Sequence, residues 1–227
     1  MSVKKACRGA LIVLEGCDRV GKTTQAKLLV ESLKNNGKPA QLMNFPVSFS
    51  IQVYRTTAIG KMLDQYLKQS QELDDHAVHL LFSANRWECV SSMEKLLQEG
   101  TTLVVDRYSD SGIAFSAAKG LPVSWCAASD SGLPRPDLVL FLTLGGTELS
   151  SRGGYGQERY EEDSFQQRVM RNYNELKRDY WNVVNADEKS VEQLHSELLP
   201  LVTSAVAAAE DKPLLTLDWP KADNPET

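Results

Sequence analysis

One stretch constrains this chain more than any other. Gly16-Cys17-Asp18-Arg19-Val20-Gly21-Lys22-Thr23 matches the spacing GxxxxGK[ST]. It follows the apolar run Ala10-Leu11-Ile12-Val13-Leu14, which reads as a fully buried strand, and it opens a helical pattern over 22–34. A glycine-rich turn in that position lets backbone N–H groups converge on a phosphate at the positive end of the helix. Lys22 can then reach the terminal phosphates and Thr23 can ligate Mg2+, so the motif points to a nucleoside triphosphate.

The rest of the chain alternates strand and helix patterns. Further strands are expected over 39–45, 102–106, 138–144 and 181–186. Helical spacing recurs over 59–67, in a longer stretch from Val78 towards Leu97, over 165–180 and over 191–208. Such alternation implies right-handed crossovers and a mostly parallel sheet covered on both faces, with ligands beyond the carboxyl ends of the strands. There is no internal repeat and no low-complexity linker. A single domain over 1–210 is expected, and the prolines at 213, 220 and 225 predict a fraying tail over 211–227.

Composition narrows the class. The 227 residues carry 25 basic and 30 acidic side chains, a net charge of −5, with 42% hydrophobic residues. That acidic balance argues against a general nucleic-acid or membrane-surface binder. No run approaches the ~18 apolar residues of a membrane span, and Lys4, Lys5 and Arg8 precede no signal-peptide core. The four cysteines lie far apart without metal-ligand spacing, as expected of inert thiols in the cytoplasm. His76 and His79 stand three apart on a helix and read as solvated or hydrogen-bonding side chains rather than metal ligands. Trp87 and Met93 read as helix-packing residues.

Asp106-Arg107-Tyr108 ends the strand Leu103-Val104-Val105. A carboxylate there acts on Mg2+ or its waters in phosphate-loop proteins, and the adjacent guanidinium suits phosphoryl oxygens. A switch GTPase is disfavoured because no NKxD segment occurs and the DxxG spacing, at Asp18 to Gly21, falls inside the phosphate loop. A protein kinase would need HRD and DFG elements, which are missing.

Five segments in order resemble one family. They are EGCDRVGKTT over 15–24, LLFSANRWE over 80–88, VVDRYSDSG over 104–112, GLPRPDLVL over 132–140 and GQERY over 156–160. Together they are similar to thymidylate kinase of the eukaryotic sort, with arginine in the phosphate loop, over about residues 9–200. The resemblance implies a P-loop NTPase three-layer α/β fold: a five-stranded parallel sheet, helices on both faces and a small lid at about 152–163. It also implies phosphoryl transfer from MgATP to dTMP, with ATP as co-substrate, and a homodimer.

The roles implied residue by residue are these. Gly16, Cys17, Asp18, Arg19, Val20, Gly21, Lys22, Thr23 and Thr24 hold ATP, with Arg152 beside the lid and Lys189 flanking adenine. Thr23 and Asp106 hold the metal. Arg19, Lys22, Asp106, Arg107 and Asp18 are catalytic, the arginines and lysine neutralising two approaching anions during direct in-line attack. Asp18, Arg55, Phe82, Arg86, Arg107, Ser111, Gly112, Phe115, Tyr160 and Gln166 line the dTMP pocket. Taken alone, Phe82 reads as core and Arg86 as a surface charge. Under the resemblance Phe82 stacks the pyrimidine and Arg86 donates to its carbonyl edge, four residues away on one helix face. Phe115 would exclude a ribose hydroxyl.

One departure stands out. The family pattern is Phe-Pro, one residue, then Arg-x-Thr, the arginine gripping the dTMP phosphate. Here the eight residues Val47 to Tyr54 separate Phe45-Pro46 from Arg55-Thr56-Thr57. Arg55 can reach the site if that insert bulges outward, since loop entropy grows only about 0.6 kcal/mol per doubling of length. Two alternatives stay open at this point: a kinase for another nucleoside monophosphate, and a nucleotide-binding regulator that has lost turnover.

Overall fold

The computed structural model describes residues 7–46, 57–144 and 163–219. The insert over 47–54, Arg55, Arg152, Arg159, Tyr160 and the lid up to residue 162 lie outside them.

Five strands form one sheet: β1 Leu11–Gly16, β2 Ala40–Asn44, β3 Thr102–Asp106, β4 Leu138–Thr143 and β5 Trp181–Asn185. All neighbours are parallel, in the order β2-β3-β1-β4-β5. The three central strands are near-continuous Val, Ile and Leu because both of their faces are covered. Strand order reverses about β1, so the carboxyl ends of β1 and β3 open on a crevice.

The helices are α1 Lys22–Asn35, α2 Ala58–Leu67, α3 Asp75–Trp87, α4 Val90–Gln98, α5 Ser109–Ala118, α6 Val123–Ala128, α7 Asp163–Leu176 and α8 Val191–Ala209. Ile12, Leu14, Val104 and Leu140 pack with Leu29 and Leu33 of α1 and Leu198 and Val202 of α8. On the opposite face Val13, Val105, Val139 and Phe141 meet Met93 and Leu97 of α4, Ile113 of α5 and Val169 and Tyr173 of α7. The result is the expected three layers. A capping box starts α8, Ser190 Oγ accepting from Gln193 N at 3.2 Å while Gln193 Oε1 accepts from Ser190 N at 2.8 Å.

Three expectations change. The long helix from Val78 towards Leu97 is two helices, because a turn at Glu88–Cys89 intervenes, with Cys89 N bonded to Arg86 O at 3.1 Å. The apolar pattern crosses the break because α3 packs Val78 against α2 while α4 packs Met93 and Leu97 on the sheet. The helix expected to reach Tyr180 ends at Leu176. The C-terminal stretch does not fray as far as Trp219. Leu217 N donates to Leu133 O at 2.7 Å, Arg135 N donates to Leu215 O at 2.8 Å, and Leu217 and Trp219 are buried in the core. The prolines keep this segment out of a helix, but an extended segment with alternate residues buried pairs well at an edge.

Candidate active site

Gly16 ends β1 with φ at +136°, and a Cβ there would stand 2.3 Å from the Leu142 carbonyl oxygen, so only glycine fits. Gly21 caps α1 with φ at +96°. Between them Arg19 also adopts positive φ, at 62°, as does Arg107 beyond β3, at 65°. Bulky residues are costly in that region. Two arginines held there in one site are the kind of local strain that accompanies function.

The loop curls over the start of α1. Lys22 is buried and its Nζ donates to the Cys17 carbonyl. Burial first, then Arg107, pushes its ammonium down to about 8, against the pull of Asp106, Asp18 and Glu15. Thr23 Oγ1 donates to Asp106 Oδ2, so the hydroxyl opening α1 meets the carboxylate ending β3. Cys17 is buried and its thiol is pushed up to about 11 by burial, which leaves it an inert wall of the loop.

Arg107 links the two sides of the crevice. Its Nη1 donates to Gly16 O at 3.2 Å and to Ser111 Oγ at 3.0 Å, and its Nη2 pairs with Asp18. The guanidinium sits 5.1 Å from the centroid of the Phe115 ring. Burial opposes its charge, but Asp18, Tyr173, Asp106 and Glu15 outweigh burial and raise its pKa. Burial likewise opposes ionisation of Asp18, yet Arg107, Lys22 and the hydrogen bond from Gln166 Nε2 (3.0 Å) hold its carboxyl below the usual range.

Glu15 was not singled out from sequence, and it organises this turn. Its buried carboxylate accepts from Tyr108 N at 2.8 Å, Ser111 N at 3.2 Å and Tyr173 OH at 3.0 Å, and from Ser111 Oγ. It therefore caps the N-terminus of α5 from β1, since Tyr108, the residue before that helix, supplies no side-chain cap. The signal available was an acid closing an otherwise apolar buried strand.

Towards α3 and α5, Phe82 and Arg86 border the same space. Arg86 is 2% exposed, not a surface charge, and packs on Gly112, where a Cβ would stand 2.7 Å from its Nη2. Asp130 Oδ2 lies 2.7 Å from that nitrogen. His79 is buried, its Nδ1 2.8 Å from Ser116 Oγ, so it is a hydrogen-bonding core residue. Met93 is core, while Trp87 is 41% exposed and donates to Ser129 O.

One cavity of about 1160 Å3 runs through the site. Asp18 to Thr24, Asp106, Arg107, Ser111, Gly112, Phe115, Phe82, Arg86 and Lys189 all line it. Gly16, Cys17 and Gln166 are not among the lining residues; they shape it from behind, Gln166 through Asp18. The volume exceeds the ~300–1,000 Å3 usual for one small ligand. Lys119 and Lys68, not anticipated, line the cavity as well.

Fold and site together define a P-loop protein in which the phosphate loop, Arg107 and the buried Arg86 line one cavity. Comparison with known proteins narrows that class. The thymidylate kinase family profile matches residues 14–198. The human thymidylate kinase is 48% identical over 213 residues, covering 92% of this chain and 97% of the relative. The Danio rerio thymidylate kinase is 46% identical over 211 residues, at 91% and 96% coverage. The solved structure of thymidylate kinase from Candida albicans superposes with a TM-score of 0.82 at 35% identity, over 94% of this chain and 100% of that one. This chain belongs to the thymidylate kinase family.

Proposed function

We propose that this chain transfers the γ-phosphoryl group of ATP to dTMP, releasing dTDP and ADP and so feeding dTTP synthesis. The observation that carries the reading is one continuous cavity, lined both by the phosphate loop and by Phe82 and Arg86.

The backbone N–H groups at the start of α1 receive the ATP phosphates. Lys22 is charged when a triphosphate adds its field to those of Asp106 and Asp18, and it neutralises the terminal phosphates. Arg107, braced by Asp18, Ser111 and Gly16 O, presents its guanidinium to the acceptor phosphate. Arg19 neutralises charge on the phosphoryl group in flight; such transfer needs positioning and electrostatics rather than a protein nucleophile. Arg86 donates to thymine O4, where cytosine offers an amino donor and leaves donor facing donor. Phe82 stacks the base, Phe115 bars a 2′-hydroxyl, and Asp18 faces the 3′-hydroxyl. Arg55, Arg152 and Tyr160 complete the proposed set, from outside the described residues.

Thr23 and Asp106 are two hard oxygen donors in contact, a set that suits Mg2+ shared with phosphates but is too small to hold the ion alone. When bound, the ion supplies charge neutralisation on the phosphates. Among the described residues no helix is long and apolar enough to cross a membrane. The free cysteines fit the cytoplasm. A homodimer is part of the same reading, and Leu80 and Trp87 leave an apolar stripe exposed on α3 for it.

ADP release with MgATP and dTMP, dUMP, dCMP, dGMP, UMP or AMP tests the proposal. Selective turnover of dTMP is expected. Preference for another acceptor would make the chain a different nucleoside monophosphate kinase, and ATP binding without turnover would make it a regulator.

A further inference from the structure

Besides carrying Phe82 and Arg86 to the cavity, α3 grips the last turn of α6 and the loop that follows it. His79 Nε2 stands 2.9 Å from Cys126 O, and Ser83 Oγ lies 2.9 Å from Ser129 O and 2.7 Å from Asp130 Oδ1. Trp87 Nε1 donates to Ser129 O at 2.8 Å. On the other side, Gly132 N donates to Leu217 O at 2.9 Å and Leu217 N donates to Leu133 O at 2.7 Å. A loop so held on both flanks delivers a charged group to the interior: the Asp130 carboxylate, fully buried and 2.7 Å from Arg86 Nη2.

Resting on the reading of Arg86 as the residue that reads the base, we propose that Asp130 is a positioning residue for acceptor selection. Its carboxylate pins the Arg86 guanidinium against α5, so that Arg86 offers its donors only where thymine presents a carbonyl.

Geometry confines the guanidinium on two sides. Gly112 blocks one, since a Cβ there would stand 2.7 Å from Nη2 and 2.9 Å from Nη1, and Asp130 takes the other. The pair is an ionic contact not aligned as a hydrogen bond, so Arg86 Nε and Nη2 and Asp130 Oδ2 lack hydrogen-bond partners among the described residues. The guanidinium is therefore oriented by charge and shape, with donor capacity unused beside the cavity.

Charge balance points to the same residue. A buried guanidinium needs a counter-charge, and thymine O4 is neutral. Asp110 is a weak candidate, because burial first and then Glu15 push its carboxyl well above the usual range. His79 adds no competing cation near neutrality, because burial holds its imidazole below the ordinary value. Asp130 is the carboxylate in contact. If it loses its charge, Arg86 is no longer pinned and can turn from an incoming amino group, which relaxes the rejection of cytosine.

The test is kcat/KM for dTMP and for dCMP, with MgATP and the full chain. It compares the parent with Asp130→Asn, Ser83→Ala, Arg86→Ala and the double variant Arg86→Ala/Asp130→Asn, with Tm recorded for each. Asp130→Asn is expected to lower the dTMP:dCMP ratio by about tenfold or more. The double variant is expected to match the ratio of Arg86→Ala within about threefold, because Asp130 acts only through Arg86. Ser83→Ala keeps both charges, loosens the carboxylate and is expected to lower the ratio severalfold, which supplies the reading if Asp130→Asn fails to fold. A parent-like ratio in Asp130→Asn, or in Ser83→Ala where Asp130→Asn does not fold, overturns the inference if Arg86→Ala loses the ratio; a fall in Tm alone then marks Asp130 as structural. A parent-like ratio in Arg86→Ala overturns both this inference and the base-reading role beneath it.

Discussion

The end of the cavity proposed for the triphosphate is shaped mainly by one continuous stretch, residues 16–24, with Asp106 and Lys189 beside it, whereas the proposed acceptor end is assembled from β1, α3, the loop after α6, α5 and α7. The first works through backbone: N–H groups at a helix start, held by glycines and by an arginine at positive φ. The second works through buried side-chain charge, with Glu15, Asp18 and Asp130 arranged around Arg107 and Arg86. A backbone cradle suits a phosphate, which any triphosphate offers. Telling one base from another needs donors fixed in direction, and fixing a buried cation requires buried anions. The contrast also shows where positive charge collects in a chain of net charge −5, since Arg19, Lys22, Arg86 and Arg107 all line the cavity.

The largest expected effect tests whether the donor end does more than bind. Arg19→Ala should lower kcat by about a hundredfold, as losses of transition-state donors do, and leave the ATP dissociation constant within about threefold. Steady-state kinetics beside calorimetry reads both, and a loss confined to affinity would reduce Arg19 to a binding group.

Glu15 sits next to the phosphate loop in sequence but serves the acceptor turn in space. Glu15→Gln replaces one acceptor oxygen with a donor amide facing the Ser111 and Tyr173 hydroxyls or the Tyr108 and Ser111 amides. It should lower kcat/KM for dTMP by about ten- to a hundredfold, since hydrogen bonds to charged groups are worth about 1.5–3 kcal/mol, while KM for ATP changes little. A rise in KM for ATP instead would move Glu15 to the donor end.

Gly112→Ala drives a methyl group into the guanidinium of Arg86. Overpacking of this kind costs about 1–3 kcal/mol, so KM for dTMP should rise by about tenfold with KM for ATP unchanged. Equal changes in both would mean that the two ends are not separable.

The smallest effect concerns Lys22. Its ammonium is held down at about 8 in the free protein, against 10.5 for an ordinary lysine. Between those values the unfolded chain binds the extra proton, so from this group stability rises with pH through that window. A bound triphosphate restores the charge, so MgATP binding should take up little proton at pH 7 and close to one at pH 9, with affinity falling as pH rises through about 8. Calorimetry in two buffers of different ionisation enthalpy measures the uptake, and none at pH 9 would show Lys22 already charged.

The same contrast decides what was legible in the sequence. GxxxxGKT is contiguous and lies between a strand and a helix, so the phosphate loop and the parallel sheet could be read directly. The acceptor end could not be built from local pattern, because its contacts join residues far apart: Glu15 meets Tyr108 93 positions on, and Ser83 meets Asp130 47 positions on. Helix α5 escaped because it is buried nearly all round, with Ser109, Asp110, Ser111 and Ser116 inside, and shows no apolar stripe. Arg86 read as a surface charge by its type alone, since the groups that enclose and pair it, Gly112 of α5 and Asp130, are far along the chain. Trp219 was assigned to a fraying end because three prolines spoke louder than two alternating apolar residues.

If the two ends share one cavity, the phosphoryl group crosses directly from ATP to dTMP with no protein-bound intermediate. The stereochemical course tests this most directly, with ATP made chiral at the γ-phosphorus by oxygen isotopes and the configuration read in the dTDP product. Inversion, the signature of one in-line displacement, is the predicted result. Retention would demand two displacements through a phosphorylated protein group and would contradict the account.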